Sequence, residues 1–225
     1  MTPRIAALVP MRHDSERVPG KNYRPLGGRP LYHHIIDALR SCPEISEIVI
    51  DTDSPMIQAD AAASFPAVTV LERPERLRAG TVPMNDVLLN DVRLVAADLY
   101  LQTHSTNPLL RPATISMAIG TFLEGRDRYD SLFGVTRLQT RLWSADGTPL
   151  NHDPAVLLRT QDLPPLFEEN SCIYLFTREL LEERGTRIGS RPLLFEIPRD
   201  EAWDIDEEID FEVVSALYGA RAPNG

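Results

Sequence analysis

The chain has 225 residues, 43% of them hydrophobic, enough for one compact domain (residues 1–225) with a sizeable core. A formal net charge of -10 and a pI near 5.0 argue against a surface that coats nucleic acid. No apolar run approaches the ~18 residues of a spanning helix, and Cys42 and Cys172 have no metal-type spacing, so the expectation is a cytoplasmic protein with reduced thiols and no membrane contact.

Ile5 to Pro10 is a short continuous apolar run, the pattern of a buried parallel strand. A polar loop, 11–28, follows. Pro30 to Arg40 has helical spacing, with Leu31, Ile35, Ile36 and Leu39 on one face and Pro30 in the first turn. Ile45 to Ile50 is a second strand that ends in Asp51-Thr52-Asp53-Ser54, where Asp53 or Ser54 can cap a helix through Ala63. Val68 to Leu71 is a third strand. A helix from Met84 to Val95 and a strand from Asp98 to Thr103 come next. The segment 112–124 is helical and Ser131 to Val135 extended. Turn signals throughout 137–170 break the rhythm and predict an inserted arm that serves as an oligomer contact. Ser171 to Thr177 resumes as a strand, Arg178 to Glu183 is a short helix, Leu193 to Ile197 an edge strand and Ile209 to Tyr218 the closing helix.

This alternation predicts a three-layer, Rossmann-like α/β domain with a mostly parallel sheet. Ligands of such sheets bind beyond the carboxyl ends of the strands. The polar loops 11–28, 51–54 and 103–108 fall there.

The first loop carries Arg12, Arg17 and Lys21, three cations within ten residues, with Ser15 and Asn22 as neutral donors and Gly20 for backbone freedom. A phosphate site needs this combination of cations, donors and close approach. Lys21 is the only lysine in the chain. The loop matches neither GxxxxGK[ST] nor GxGxxG, and the same residues also suit an ordinary surface loop of mixed charge. Near the other end, Asp204-Ile205-Asp206 places two carboxylates two residues apart. On an extended segment both face one side and can share a hard cation. The same stretch also suits a solvated acidic lead-in to a helix with Asp206 as its N-cap.

The ordered series Arg12-x-x-Ser15, Pro19-Gly20-Lys21-Asn22, Pro25-Leu26-Gly27-Gly28-Arg29-Pro30-Leu31, Asp51-Thr52-Asp53-Ser54, Arg73-Pro74-Glu75-x-Leu77, Gln161-Asp162-Leu163-Pro164-Pro165, Glu169-Asn170 and Asp204-Ile205-Asp206 resembles the acylneuraminate cytidylyltransferases, or CMP-sialic acid synthetases. Relatives of that family make the CMP derivative of 3-deoxy-manno-octulosonate. The resemblance covers almost the whole chain. It implies a nucleotidyltransferase fold with a dimerisation arm at 137–170, and a homodimer. It implies that CMP passes from CTP to a small acidic sugar with release of pyrophosphate. It also implies that Arg12, Ser15, Arg17, Lys21 and Asn22 hold CTP, that Arg73 sits near the cytosine, and that Asp204 and Asp206 bind Mg²⁺. Arg12, Lys21 and Asp206 would carry the catalysis. Gln102, His104, Arg159, Gln161 and Asn170 would meet the acceptor.

The chain departs from the family pattern in places. His13-Asp14 replaces the usual Gly-Gly, and Glu16 replaces a lysine. Residues 101–109, LQTHSTNPL, stand where the family has LQPTSPL: matched without gaps back from Pro108 and Leu109, which also sets Asp98 where the family often has an acidic residue, His104 takes the acceptor-contacting position, and matched from Leu101, Gln102 does. Thr160 replaces an arginine before Gln161, beside Arg159. By the resemblance, these changes gather where the acceptor would bind. Two other readings stay open: CTP-dependent activation of another acidic acceptor, such as a different keto sugar acid or a phosphonate, and a non-catalytic nucleotide-binding protein on the same fold.

Overall fold

The structure is a computed structural model that describes residues 3–15 and 17–221. Glu16 and the chain end through Gly225 lie outside the described residues.

The first strand, β1 (Ile5–Met11), is buried at every position, as its unbroken apolar run requires. A short 3-10 turn (Lys21–Tyr23) leads into a hairpin of two-residue strands, β2 (Pro25–Leu26) and β3 (Arg29–Pro30). Gly27 and Gly28 take φ of 58° and 80° in its turn, the two positive angles that a type I′ connection demands. Pro30 therefore ends β3 and precedes the helix α1 (Leu31–Arg40) instead of opening it. The expected face of α1 is the buried one: Leu31, Ile35, Ile36 and Leu39 are fully covered.

The strand β4 (Ile45–Thr52) runs parallel to β1, with Leu8 opposite Val49. Ser54 caps α2 (Pro55–Ser64) by accepting from Ile57 N at 3.4 Å. Asp53 does not cap; it is used elsewhere. Next come β5 (Thr69–Glu72), α3 (Met84–Leu94), β6 (Leu99–Gln102) and α4 (Pro112–Glu124). The strands β7 (Ser131–Leu138) and β8 (Leu166–Phe176) pair antiparallel, and α5 (Arg178–Arg184), β9 (Pro192–Glu196) and α6 (Glu208–Arg221) complete the chain.

The seven-stranded sheet has the order β5-β4-β1-β6-β8-β7-β9. The strands β5, β4, β1 and β6 are mutually parallel, β8 is antiparallel to both neighbours, and β5 and β9 are the two edges. Apolar clusters cover both faces. One packs α1, α2 and α4 against β1, β4 and β6; the other packs α3 and α5. Because β4, β1 and β6 end on one edge, the loops after them converge where the chain direction reverses around β1.

The arm is shorter than the pattern of turns suggests. Val135 to Leu138 pair with Glu169 to Leu166, so both ends of 137–170 belong to the sheet and only 139–165 project. Alternation of apolar and polar residues is too weak in LFEEN for its strand character to be read without a partner. Inside the arm, buried Asn151 ties three backbone groups together: it accepts from Leu142 N and donates to Thr140 O and Pro164 O. His152 packs edge-on against Trp143. Leu150, Val156, Leu157 and Leu158 are exposed there.

Candidate active site

The loop after β1 is held by its neighbours on both sides. His13 N donates to Asp53 Oδ1 at 2.7 Å, and the His13 ring meets Ser54 Oγ at 2.8 Å. The His13 that replaces a glycine thus turns away from the cleft and clamps the loop to the end of β4. Asp14 stands almost fully in solvent at the cleft mouth. On the other side, buried Asn22 donates to Arg12 O at 2.8 Å and accepts from Ser105 Oγ at 2.7 Å. Asn22 thereby fastens the loop to the segment after β6 and also borders the cleft. Gly20, at φ 66°, turns the chain so that Lys21 enters the cleft.

Lys21 reaches across the molecule. Its Nζ donates to Ile205 O and lies 3.8 Å from Asp206 Oδ1. Arg17 Nη2 binds the same Asp206 oxygen at 2.7 Å. The two signals from opposite ends of the chain meet in one place.

The Asp204-Ile205-Asp206 segment lies outside any regular element, and the alternation of its side chains is what arms it. Ile205 is fully buried against Leu26, Leu31, Leu109, Phe211 and Val214, and its N–H donates to Thr106 O at 3.0 Å. With Ile205 pointing into the core, both carboxylates point the other way. Asp206 is no helix cap. The backbone N–H groups of Asp206 and Glu207 both donate to Asp210 Oδ2, at 3.0 and 2.8 Å, and α6 starts two residues later. Burial pushes the Asp204 carboxyl above its ordinary range, against the pull of the Thr106 hydroxyl and Lys21, with Asp206 and Asp210 pushing it further up. Asp204 Oδ1 is buried without a hydrogen-bond partner. An orphaned carboxylate oxygen beside a second carboxylate suits a hard cation that takes one or two protein oxygens and keeps the rest of its shell for phosphate and water. Burial also lowers the Lys21 ammonium, while Asp204 and Asp206 raise it back.

Arg73 forms part of the opposite wall. Only 2% exposed, it makes an ion pair with Asp51 at the end of β4 through Nε. Leu77, Ala79, Gly80, Val82, Met84 and Val87 continue this wall. These small and apolar residues run from a 3-10 turn through a loop into the first turns of α3, and nothing in their order announces a pocket. The cleft measures about 510 Å³ and is bordered by Arg12, Ser15, Arg17, Lys21, Asn22, Arg73, His104, Asp204 and Asp206 among others.

Of the expected acceptor contacts, His104 borders the cleft and Gln102 stands behind it. Gln102 is fully buried and donates from Nε2 to His104 Nε2 at 2.9 Å. Burial, with Arg187 and Lys21 adding their positive charge, pushes the His104 imidazole down to about 3, so the ring is neutral. Asn170 borders an adjoining cleft of about 450 Å³ that also contains Ser171, Asp204 and Asp206. Arg159 and Gln161 lie on the arm, outside both clefts. Arg159 pairs with Asp162 at 2.7 Å and is exposed.

Comparisons with known proteins identify the family and the fold. A family model described as Cytidylyltransferase matches residues 6–218. The chain is 30% identical over 230 residues to CMP-N,N'-diacetyllegionaminic acid synthase of Legionella pneumophila subsp. pneumophila, covering 95% of this chain and 96% of that protein. It is 27% identical over 216 residues to N-acylneuraminate cytidylyltransferase A of Danio rerio, where 93% of this chain spans only 49% of the relative. In structure it is similar to CMP:2-keto-3-deoxy-manno-octonic acid synthetase complexed with CTP, with a TM-score of 0.72 at 17% identity, covering 96% of this chain and 99% of that one. A 4-diphosphocytidyl-2C-methyl-D-erythritol synthase from Anaerococcus prevotii shares the fold at a TM-score of 0.68 and 11% identity, over 97% of this chain and 96% of that one. With the family matched from β1 to α6 and the converging loops in place, the chain belongs to the cytidylyltransferase family.

Proposed function

We propose that this chain transfers CMP from CTP to a small acidic sugar and releases pyrophosphate. The observation that carries the reading is the convergence of Lys21 and Arg17 with Asp204 and Asp206 at one end of a 510 Å³ cleft. The zebrafish relative is named for an N-acylneuraminate and the Legionella relative for N,N'-diacetyllegionaminic acid, and the synthetase of similar fold was seen with CTP.

Arg12, Ser15, Arg17 and Lys21 face the triphosphate, with Asn22 holding their loop in place. Arg73 and the apolar wall of Leu77, Val82 and Val87 take the base. The acceptor hydroxyl oxygen bonds to the α-phosphorus, the α–β anhydride bond breaks, and its electron pair leaves on pyrophosphate. Such transfers need positioning and charge stabilisation and no covalent nucleophile. Arg12 and Lys21 stabilise charge on the departing phosphates. Asp206 holds Arg17 and Lys21 and takes the acceptor proton through water. Asp204 and Asp206 would hold Mg²⁺, which supplies charge neutralisation and orientation of the phosphates when bound. Arg159 and Gln161, remote from their own cleft, would serve the acceptor end of a partner's cleft in a homodimer built on the arm. The protein works in the cytoplasm, with CTP and the sugar acid as its partners and no nucleic acid or membrane.

The test is pyrophosphate release from CTP and Mg²⁺ with N-acetylneuraminate, 3-deoxy-manno-octulosonate and related sugar acids. Turnover with one of them is expected. Silence with all of them, while CTP still binds, would overturn the acidic-sugar reading.

A further inference from the structure

The β7–β8 ladder is broken at one place. Val135 pairs with Glu169 and Phe133 with Tyr174, so Gly134 alone faces the stretch from Asn170 to Ile173. Asn170 folds into the gap: Nδ2 donates to Thr136 Oγ1 at 3.1 Å and Oδ1 accepts from Cys172 N at 3.3 Å. Gly134 makes the room, because a Cβ there would stand 2.6 Å from Asn170 Oδ1 and 2.7 Å from Ile197 Cδ1. Within this bulge Ser171 takes φ 58°, the one positive φ outside glycine among the described residues. Glycine adopts that angle freely, whereas a side chain there is disfavoured and persists where surroundings and function demand it. Bulges re-aim side chains, often beside active sites.

Ser171 is aimed at the seam. Together with Asp204 and Asp206 it borders both the nucleotide cleft and the adjoining 450 Å³ cleft. Tyr174 Oη donates to Glu169, and its contact with Ser171 Oγ is long, 3.4 Å, which leaves the serine hydroxyl with capacity to spare. The adjoining cleft is bordered by Glu168, Glu169 and Asp210 and by one cation, Arg199. Among the described residues Arg199 makes no ion pair. A carboxylate entering a cleft so rich in acids has one place to be neutralised, a guanidinium that can grip it with two parallel hydrogen bonds.

We infer that Ser171 and Arg199 determine acceptor binding: Arg199 pairs with the carboxylate of the sugar acid in the adjoining cleft, and the Ser171 hydroxyl bonds the sugar at the seam, next to the transferring phosphate. This rests on the cytidylyl-transfer reading. It makes the cleft between β8 and the 199–210 segment the place where one sugar acid is distinguished from another.

Steady-state pyrophosphate release tests it, with CTP and the sugar acid varied separately and N-acetylneuraminate and 3-deoxy-manno-octulosonate as the two acceptors. Arg199→Met should raise the acceptor KM ~10- to 100-fold, the range for a hydrogen-bonded charge, and Arg199→Lys should recover part of it. Ser171→Ala and Ser171→Gly should each raise the acceptor KM ~5- to 10-fold. Ser171→Gly should also melt at a higher temperature, because it relieves the backbone. The CTP KM should stay within about twofold throughout, since uniform loss of acceptor binding leaves nucleotide binding alone. A Ser171→Gly or Arg199→Met enzyme with the parent's acceptor KM, or with a raised CTP KM instead, would overturn the inference while leaving cytidylyl transfer intact. A parent enzyme that binds CTP in equilibrium dialysis but turns over neither acid nor any related sugar acid would overturn both.

Discussion

Asp51 and Asp91 face each other in the core, 1% and 0% exposed, and each leaves its Oδ2 without a conventional partner. Arg73 neutralises one of them through its ion pair with Asp51. Burial, reinforced by the neighbouring Asp51 charge, pushes the Asp91 carboxyl up to about 8. Asp91 thus keeps its proton at neutral pH and bonds Asp51, and the pair braces the arginine that walls the nucleotide cleft.

A carboxyl raised in this way binds more protons folded than unfolded. Its contribution to stability therefore falls as pH rises, from the ordinary carboxylate range near 4 up to about 8. Asp91→Asn presents a permanent donor to Asp51. It should match the parent protein at pH 4 and exceed it at pH 8 by roughly 1–3 kcal/mol, the cost of an unsatisfied buried polar group. Urea melts at the two pH values would show this, and a variant less stable at pH 8 would contradict the shared proton.

Lys21→Met should lower kcat about 10²- to 10³-fold, as loss of one donor aimed at developing charge does elsewhere. Asp206→Asn should produce a comparable loss and a higher Mg²⁺ concentration for half-maximal rate in the same pyrophosphate-release assay, with the melting temperature little changed because Asp206 is half exposed.

His104 stays neutral, so the rate profile between pH 6 and 8 should carry no histidine limb from it. His104→Ala should raise the acceptor KM about five- to tenfold, the worth of one neutral hydrogen bond of roughly 1 kcal/mol. An unchanged acceptor KM would leave His104 a packing residue in front of Gln102.

Gly134→Ala should destabilise the protein by ~1–3 kcal/mol, since its Cβ meets Asn170 and Ile197 and the packed bulge has nowhere to yield. Thermal melts would measure it, and the acceptor KM should rise with it because Ser171 shifts.

Leu157 is 88% exposed on the arm. If the arm seats a partner subunit, Leu157→Asp should weaken the dimer by at least the ~1.5–3 kcal/mol of burying one leucine. Light scattering should then report a smaller mass at low micromolar concentration. A parent protein that scatters as a monomer would refute the homodimer.

Local pattern was enough for most elements. The apolar run Ile5 to Pro10, the helical face of Leu31, Ile35, Ile36 and Leu39, and the alternation of strand and helix determined the sheet and its binding edge, because burial period and backbone geometry are short-range properties. The Asp204-Ile205-Asp206 spacing likewise determined that both carboxylates share a side. Tertiary structure decided the rest. Leu166 to Asn170 became strand only because Val135 to Leu138 offered a ladder. His13 turned outward only because Asp53 and Ser54 were there to receive it. Asn22, readable as a ligand donor, ties its loop to Arg12 and Ser105 as well. The left-handed turn at Ser171 depends on the space at Gly134, 37 positions earlier. Each of these outcomes depends on a hydrogen bond or a steric gap between residues far apart in sequence, and no local pattern encodes such a partner.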